Sequence, residues 1–400
     1  MAICGNLLLS SSIAFLAFAI WFNSNDFKPM EYHFPPPPPL TGPLALNKPK
    51  ILEKILEGEV IGPESIVVEK NIIYTCTMDG NCLKIVDGKI VKKIPMTKNK
   101  GCEALTRKSI AYCGRPLGIR RRNEKQFIVA DAVLGILAID FEKETVETLL
   151  SITKPIDGIK MKFPDDFDFI DNDTIVFSDA STRYGYTDFL LSFLEHGGDG
   201  RIIKFKISTG ETQVLVDGLD FPNGVQMHTD KQSFLFCESA TAKIYRLKNF
   251  LKLKKILTKN FLSFYFAGPK KGRLEIFLDN LPGFPDNIRI SSSGTSFYVA
   301  MFSHRNAANP DLFQRLGDWL MTRKVLGMLF RIFPSTIVEL LFNRGYGIAI
   351  EIDLDGKIIR SFHDPQGTII NDISQLADDG GEFIYLASFD NNYIGRMTKN

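Results

Sequence analysis

From about residue 58 onward, short runs of Val, Ile, Leu and Phe alternate with polar turns, and the same order of elements recurs. Each unit opens on a Pro- or Gly-containing turn that carries polar residues. A short strand follows, then a turn, then a β-rich strand ending in small or acidic residues, then another strand. The first unit runs from Gly62-Pro63-Glu64-Ser65 through Ile72-Ile73-Tyr74-Thr75 to Leu83-Lys84-Ile85-Val86. Later units open at Arg115-Pro116-Leu117-Gly118, Phe163-Pro164-Asp165-Asp166, Phe221-Pro222-Asn223-Gly224, Phe284-Pro285-Asp286-Asn287 and Asn371-Asp372-Ile373. Six units of about 50–60 residues, one of them stretched, predict an all-β, six-bladed β-propeller over 58–400. A two-sheet sandwich would use the same strands but would leave the repeat unexplained.

The stretched fifth unit changes period. Leu312, Phe313, Leu316, Trp319, Leu320, Leu326, Leu329, Phe330 and Phe333 recur at helical spacing, with Arg315, Arg323, Lys324 and Arg331 among them. This predicts a helical insertion in blade 5 over 305–345, broken near Pro334. It caps the propeller, and the 312–342 helices are a candidate second contact with a bilayer or an apolar substrate.

The N-terminus follows neither pattern. Leu7 to Phe22 is almost wholly apolar but for a short serine run, and extended back to Ile3 it is about 20 residues long, enough to cross a bilayer as a helix. The favoured reading makes 1–25 a short cytoplasmic tip and transmembrane signal-anchor, single-pass and type II, with the propeller on the extracellular or lumenal side. Ala17 and Ala19 also form an A-x-A site, so a cleaved signal stays open. Trp21 and Phe22 suit an interfacial belt. Residues 26–57, with Pro35 to Pro39 at their centre, predict a stiff polyproline spacer that holds the head away from the membrane.

Composition narrows the chemistry. The net charge is +2 with cations spread along the chain, so no nucleic-acid partner is expected. The six cysteines form no paired CxxC, which argues against zinc. Cys102 and Cys113 flank a short polar loop; a local disulfide and two free thiols both remain open. Asn172 heads the sequon Asn172-Asp173-Thr174 and is a candidate glycosylation site. No G-x-S-x-G elbow, dinucleotide fingerprint or phosphate loop is present. His304 and His363 are possible acid–base groups, though each reads first as a surface or capping histidine.

The turns that open the units lie near the central channel of a propeller. Four of them carry oxygen ligands: Glu64, Asp165, Asn223, and the pair Asp286 and Asn287. Singly these are ordinary turn formers. Their recurrence at equivalent positions predicts a ring of hard oxygens on the axis, suited to Ca²⁺.

These segments resemble the strictosidine synthase-like family. The resemblance rests on Gly62-Pro63-Glu64-Ser65-Ile66, Cys113-Gly114-Arg115-Pro116-Leu117-Gly118-Ile119-Arg120, Asp199-Gly200-Arg201, Phe221-Pro222-Asn223-Gly224-Val225-Gln226, Pro282-Gly283-Phe284-Pro285-Asp286-Asn287-Ile288-Arg289 and His363-Asp364-Pro365. It implies a six-bladed propeller with a type II anchor. Related propellers, the paraoxonases and gluconolactonases, are calcium-dependent esterases and lactonases. By that similarity Glu64, Asn223, Asp286 and Asn287 match metal-ligand positions, and Asp165 stands where those relatives usually have Asn. Two positions depart. Strictosidine synthases use a glutamate before the last blade's strand, and Ile370 to Leu376 contains none. Paraoxonases carry a catalytic histidine where this chain has Leu117. The expectation is therefore a Ca²⁺-dependent hydrolase of small apolar esters or lactones, with Asp286 activating water. Its rival is a non-catalytic surface propeller with a structural metal.

Overall fold

The computed structural model describes residues 26–49, 52–99, 101–102, 106–250, 273–342 and 345–399. Six antiparallel four-stranded sheets are arranged as blades around an axis. Blade 1 comprises Ile66–Glu69, Ile72–Cys76, Asn81–Val86 and Lys89–Pro95. Blade 2 runs from Pro116–Arg121 to Thr145–Ser151, blade 3 from Pro164–Asp171 to Glu211–Leu219, and blade 4 from Pro222–Met227 to Leu274–Leu278. Blade 5 runs from Gly283–Ile290 to Ile358–Asp364.

Burial explains why these segments are strands. Every residue of Ser233–Glu238 is buried, because neighbouring blades cover both faces of the sheet. On the outer strand of blade 1, Lys89, Lys92 and Lys93 line an edge that has no further strand to pair with.

Blade 6 takes three strands from the C-terminus, Ile373–Asp378, Phe383–Ser388 and Ile394–Thr398. Its fourth is Leu52–Ile55, with Leu52 opposite Met397 and Ile55 opposite Ile394. These four residues were expected in the linker. They instead lock the first strand among the described residues to the last and close the ring.

The proline-rich segment is not a free spacer either. Phe27, Tyr32 and Leu44 are buried against the propeller. Met30 N donates to Glu195 O at 2.7 Å, Asn280 Nδ2 to Pro36 O at 2.8 Å, and Arg305 Nη2 to Pro35 O at 2.7 Å. Proline lacks an N–H, but its carbonyl accepts as well as any other. The extended segment is thus a strap docked by its carbonyls. Among the described residues no helix is long and apolar enough to cross a membrane, and the expected anchor over 1–25 lies outside them.

Helices gather on one face. Each blade's entry turn and the loop between its second and third strands lie at the same end of the antiparallel meander. Two of those loops are long. Blade 3 inserts α2 (Phe189–Glu195), after α1 (Arg107–Cys113) between blades 1 and 2. Blade 5 inserts α3 (Leu312–Arg315), α4 (Leu320–Phe330) and α5 (Pro334–Leu341). Asp311 caps α3 by accepting from Gln314 N at 2.9 Å, and Pro334 opens α5 where its missing N–H costs nothing. α2 packs on α4. Phe193 of α2 lies 4.6–5.9 Å, ring to ring, from Phe221, Phe302, Phe313 and Phe342, joining the cap to the blades.

Cys102 and Cys113 are joined by a disulfide, and a second joins Cys76 to Cys82 across adjacent strands of blade 1. Asn172 is exposed in the hairpin turn at the end of blade 3 opposite the cap.

The closing strand and the strap make one prediction. A head beginning at Gly58 should melt at a lower temperature than one beginning at Asp26. It loses an antiparallel pairing and four buried large side chains, Phe27, Tyr32, Leu44 and Leu56, worth about 1.5–3 kcal/mol each. Differential scanning fluorimetry of the two forms checks it; equal melting temperatures would refute it.

Candidate metal centre at the mouth of the channel

One local device places the axial residues. The inner strands of blades 2, 3 and 4 begin Pro-x-x-hydrophobic, as Pro116–Ile119, Pro164–Phe167 and Pro222–Val225; that of blade 5 carries the same motif from its third residue, Pro285–Ile288, and each span carries a register shift. Proline suits the start of the strand, and the bulge after it re-aims the next two side chains. The first of the two is Leu117, Asp165, Asn223 or Asp286. Glu64 follows Pro63 in the same way at the entrance to blade 1. Its turn is fixed from outside, for Arg115 Nη1 donates to Gly62 O at 3.1 Å and Ser374 Oγ donates to Glu64 O.

Glycine is required where these strands crowd together. A Cβ on Gly224 would lie 2.5 Å from Asn287 Cα and 2.7 Å from Asp286 O. That close approach brings Asn223 within hydrogen-bonding reach of Asp286.

The five expected residues therefore meet at one place. Glu64, Asp165, Asn223 and Asp286 line a single cavity of about 80 Å³. Asn287 is held beside them, its Nδ2 donating to Glu64 Oε1 at 2.7 Å. Four oxygens are left buried without a donor: Glu64 Oε2, Asn223 Oδ1, Asp286 Oδ1 and Asn287 Oδ1. An orphaned buried acceptor costs about 1–3 kcal/mol, so four in one ring call for a shared partner. A hard cation meets that need, and the donor set is all oxygen, as Ca²⁺ prefers. Among the described residues no group of three or more His, Cys, Asp or Glu side chains is spaced to hold a metal. Any site here depends on the two amide oxygens.

Electrostatics point the same way. Burial raises the Glu64 carboxyl to about 7, and the charge of Asp166 adds to the effect. Burial also pushes Asp165 and Asp286 well above the usual carboxylate range, with the Glu64 charge as the next cause. Three carboxylates this close resist ionising together unless positive charge is shared among them.

Beneath the ring, the channel is filled by a polar plug. Arg289 Nη1 and Nη2 donate to the two oxygens of Asp166 at 2.6 and 2.8 Å. Ser65 Oγ donates to Gln375 Oε1 at 2.6 Å, and Gln375 Nε2 to Ile66 O at 2.7 Å. One layer lower, Gln226 Nε2 donates to Asp168 Oδ2 at 2.7 Å and Arg120 Nη1 lies 3.4 Å from Asp168 Oδ1. Sequence reasoning passed over these residues. Their signal was positional, since Arg120, Asp168, Gln226 and Arg289 each stand three places after the axial residue of their blade.

Above the ring the walls are apolar: Phe163, Tyr186, Phe189, Phe193, Phe221 and Phe302, with Leu117 at the ring's own level. Neither histidine lines this cavity. His304 stacks on Tyr346 at 4.3 Å, and burial lowers it to about 4. His363 is fully buried between the Tyr346 and Ser361 hydroxyls, 2.8 and 2.7 Å away. Both belong to the packing of blade 5, not to the mouth.

The pattern of the strictosidine synthase family matches residues 165–251. Adipocyte plasma membrane-associated protein of Rattus norvegicus is 35% identical over 396 residues, covering 98% of this chain and 98% of that protein. The chain belongs to the strictosidine synthase-like family. Within the family, the human adipocyte plasma membrane-associated protein is 34% identical, covering 95% of this chain and 86% of that one. Strictosidine synthase-like 4 of Arabidopsis thaliana is 28% identical, covering 98% and 97%. Among solved structures, a gluconolactonase of Xanthomonas campestris superposes with a TM-score of 0.52 at 11% identity, covering 94% of this chain and 99% of that one. The calcium-binding protein regucalcin of Agrobacterium tumefaciens gives 0.51 at 10% identity, covering 86% and 92%. At those identities the shared property is the propeller fold.

Two substitutions test the architecture of this family member's mouth. Asp166→Ala strands the Arg289 guanidinium in the channel and should destabilise the head by about 3–5 kcal/mol in chemical denaturation. Gly224→Ala should cost about 1–3 kcal/mol by overpacking and should abolish any rise in melting temperature on adding Ca²⁺. Wild-type values for either variant would show that the inner strands are not held as described.

Proposed function

We propose that the head is a Ca²⁺-dependent hydrolase of small apolar esters or lactones, held to the extracellular or lumenal side of a membrane by its N-terminal segment. The observation that carries this reading is the set of four orphaned oxygens, three of them on residues that line an aromatic-walled cavity and the fourth on Asn287 beside Glu64. Glu64, Asn223, Asp286 and Asn287 would hold the ion, with Asp165 beside them. When bound, Ca²⁺ would polarise a substrate carbonyl and stabilise charge developing on its oxygen.

The chain's own residues supply the rest. Phe189, Phe193, Phe221 and Phe302 offer an apolar seat for the acyl or aryl part and exclude bulk water. Asp286 would take a proton from the attacking water as the water oxygen bonds to the carbonyl carbon, and would return it to the leaving oxygen as the acyl–oxygen bond breaks. A carboxylate beside a cation is a weak base, so turnover is slow. Leu117 leaves the cavity without an imidazole at its level, so proton transfer has no histidine relay. The relatives support the wider setting, since several are named plasma membrane-associated proteins, one structural neighbour is a gluconolactonase and another is a calcium-binding protein.

Leu117 and the modest cavity also favour a second reading, a non-catalytic surface propeller stabilised by its metal. Hydrolysis of aryl acetates and of a lactone series by the purified chain, with and without EDTA, separates the two. The hydrolase reading expects activity that is lost on chelation and falls about 100-fold or more in Asp286→Asn. Activity indifferent to both would overturn it. A lower melting temperature on chelation, with no turnover before or after, would establish the second reading.

A further inference from the structure

The cap carries an apolar face that the propeller does not use. Trp319, Met321, Ile332 and Phe333 are 56–65% exposed, and Val325, Leu329 and Leu340 are also open to solvent. These seven make up half of the exposed large hydrophobic residues among the described residues, yet they fall within one short insertion. On α4 the open stripe is Met321, Val325 and Leu329, one residue per turn, while Leu326, Gly327 and Phe330 face the protein. The helix is therefore apolar on both sides, which a helix facing water on one side does not need.

The path of the chain identifies what covers this face. Phe27 packs on the buried side of α4, its ring 3.0 Å from where a Cβ on Gly327 would sit. The Met30 carbonyl accepts from Arg323 of the same helix. In the sequence the apolar stretch ends at Phe22, five residues before Phe27. Five extended residues span at most about 17 Å. A head tethered so briefly presents α4 to whatever that stretch is embedded in. Between Leu312 and Leu341, leaving aside the buried Arg323, Arg315, Lys324 and Arg331 outnumber Asp318 and Glu339, a balance that suits anionic headgroups.

We propose that the outer face of α4, the turn after it and α5 form a bilayer-seating surface. Trp319, Ile332 and Phe333 sit at the level of the headgroups and first acyl carbons, in the manner of an interfacial helix pair. The surface is separate from the oxygen ring and stands whether or not the ring supports catalysis.

The chain has two tryptophans, Trp21 and Trp319, so a Trp21→Phe variant reports on Trp319 alone. The full chain is reconstituted into phosphatidylcholine–phosphatidylserine vesicles, and only the fraction that floats with lipid is measured. Acyl chains brominated near the headgroup should quench at least half of the Trp319 emission relative to unbrominated lipid. Adding Ile332→Glu and Phe333→Glu should remove most of that quenching. Both positions are exposed, so the melting temperature should hold. Emission indifferent to bromine in floated vesicles would overturn the proposal. A blue-shifted but unquenched Trp319 that crosslinks to a second copy would assign the face to self-association instead.

Discussion

Arg289 and Asp166 meet as a two-pronged ion pair inside the propeller channel, and the arrangement above them depends on that contact. The inner strands of blades 3 and 5 lie on different sides of the axis, and the pair fixes their relative height. Asp165 is the neighbour of Asp166, and Asp286 lies three residues before Arg289, so the ion pair also sets where those carboxylates stand. Breaking even against desolvation is typical for a buried pair of this kind, so its main contribution is registration. A ring of acidic side chains would otherwise spread under its own repulsion. The plug below counters this with the fixed positive charge of Arg289.

The repeat, the six blades and the residues that converge on the axis were legible in the sequence because they are local. Pro-x-x-hydrophobic is a four-residue signal, and its recurrence reports position even when each copy looks like an ordinary turn. The missed features share a different property: their partners are remote. Leu52–Ile55 is too short to stand out and pairs with residues about 340 positions away. Arg289 and Arg120 read as strand cations, since nothing nearby in sequence shows that they point into a channel. The proline run illustrates a further limit. Composition reports an extended backbone, but whether its outward carbonyls meet water or the side chains of Arg305 and Asn280 is a tertiary matter.

The molecule is strongly asymmetric from top to bottom. Strap, cap and oxygen ring all lie at the end where inner strands begin, while the opposite end consists mainly of short hairpin turns. Phe330, on the inner side of α4, lies 6.4 Å from Phe189, which lines the cavity. The outer surface of the cap and the wall of the mouth are thus separated by little more than the thickness of one helix. An apolar compound reaching the mouth from that side would have a short path past aromatic rings.

The strand at Leu52–Ile55 also has a consequence for biosynthesis. It leaves the ribosome early, yet the residues it must pair with, Ile394–Met397, are made about 340 positions later. Throughout elongation the ring stays open, with one hydrophobic edge waiting. The torus closes only once that strand has been made, and a transcript that stops before Ile394 would yield a head whose two ends have nothing to join.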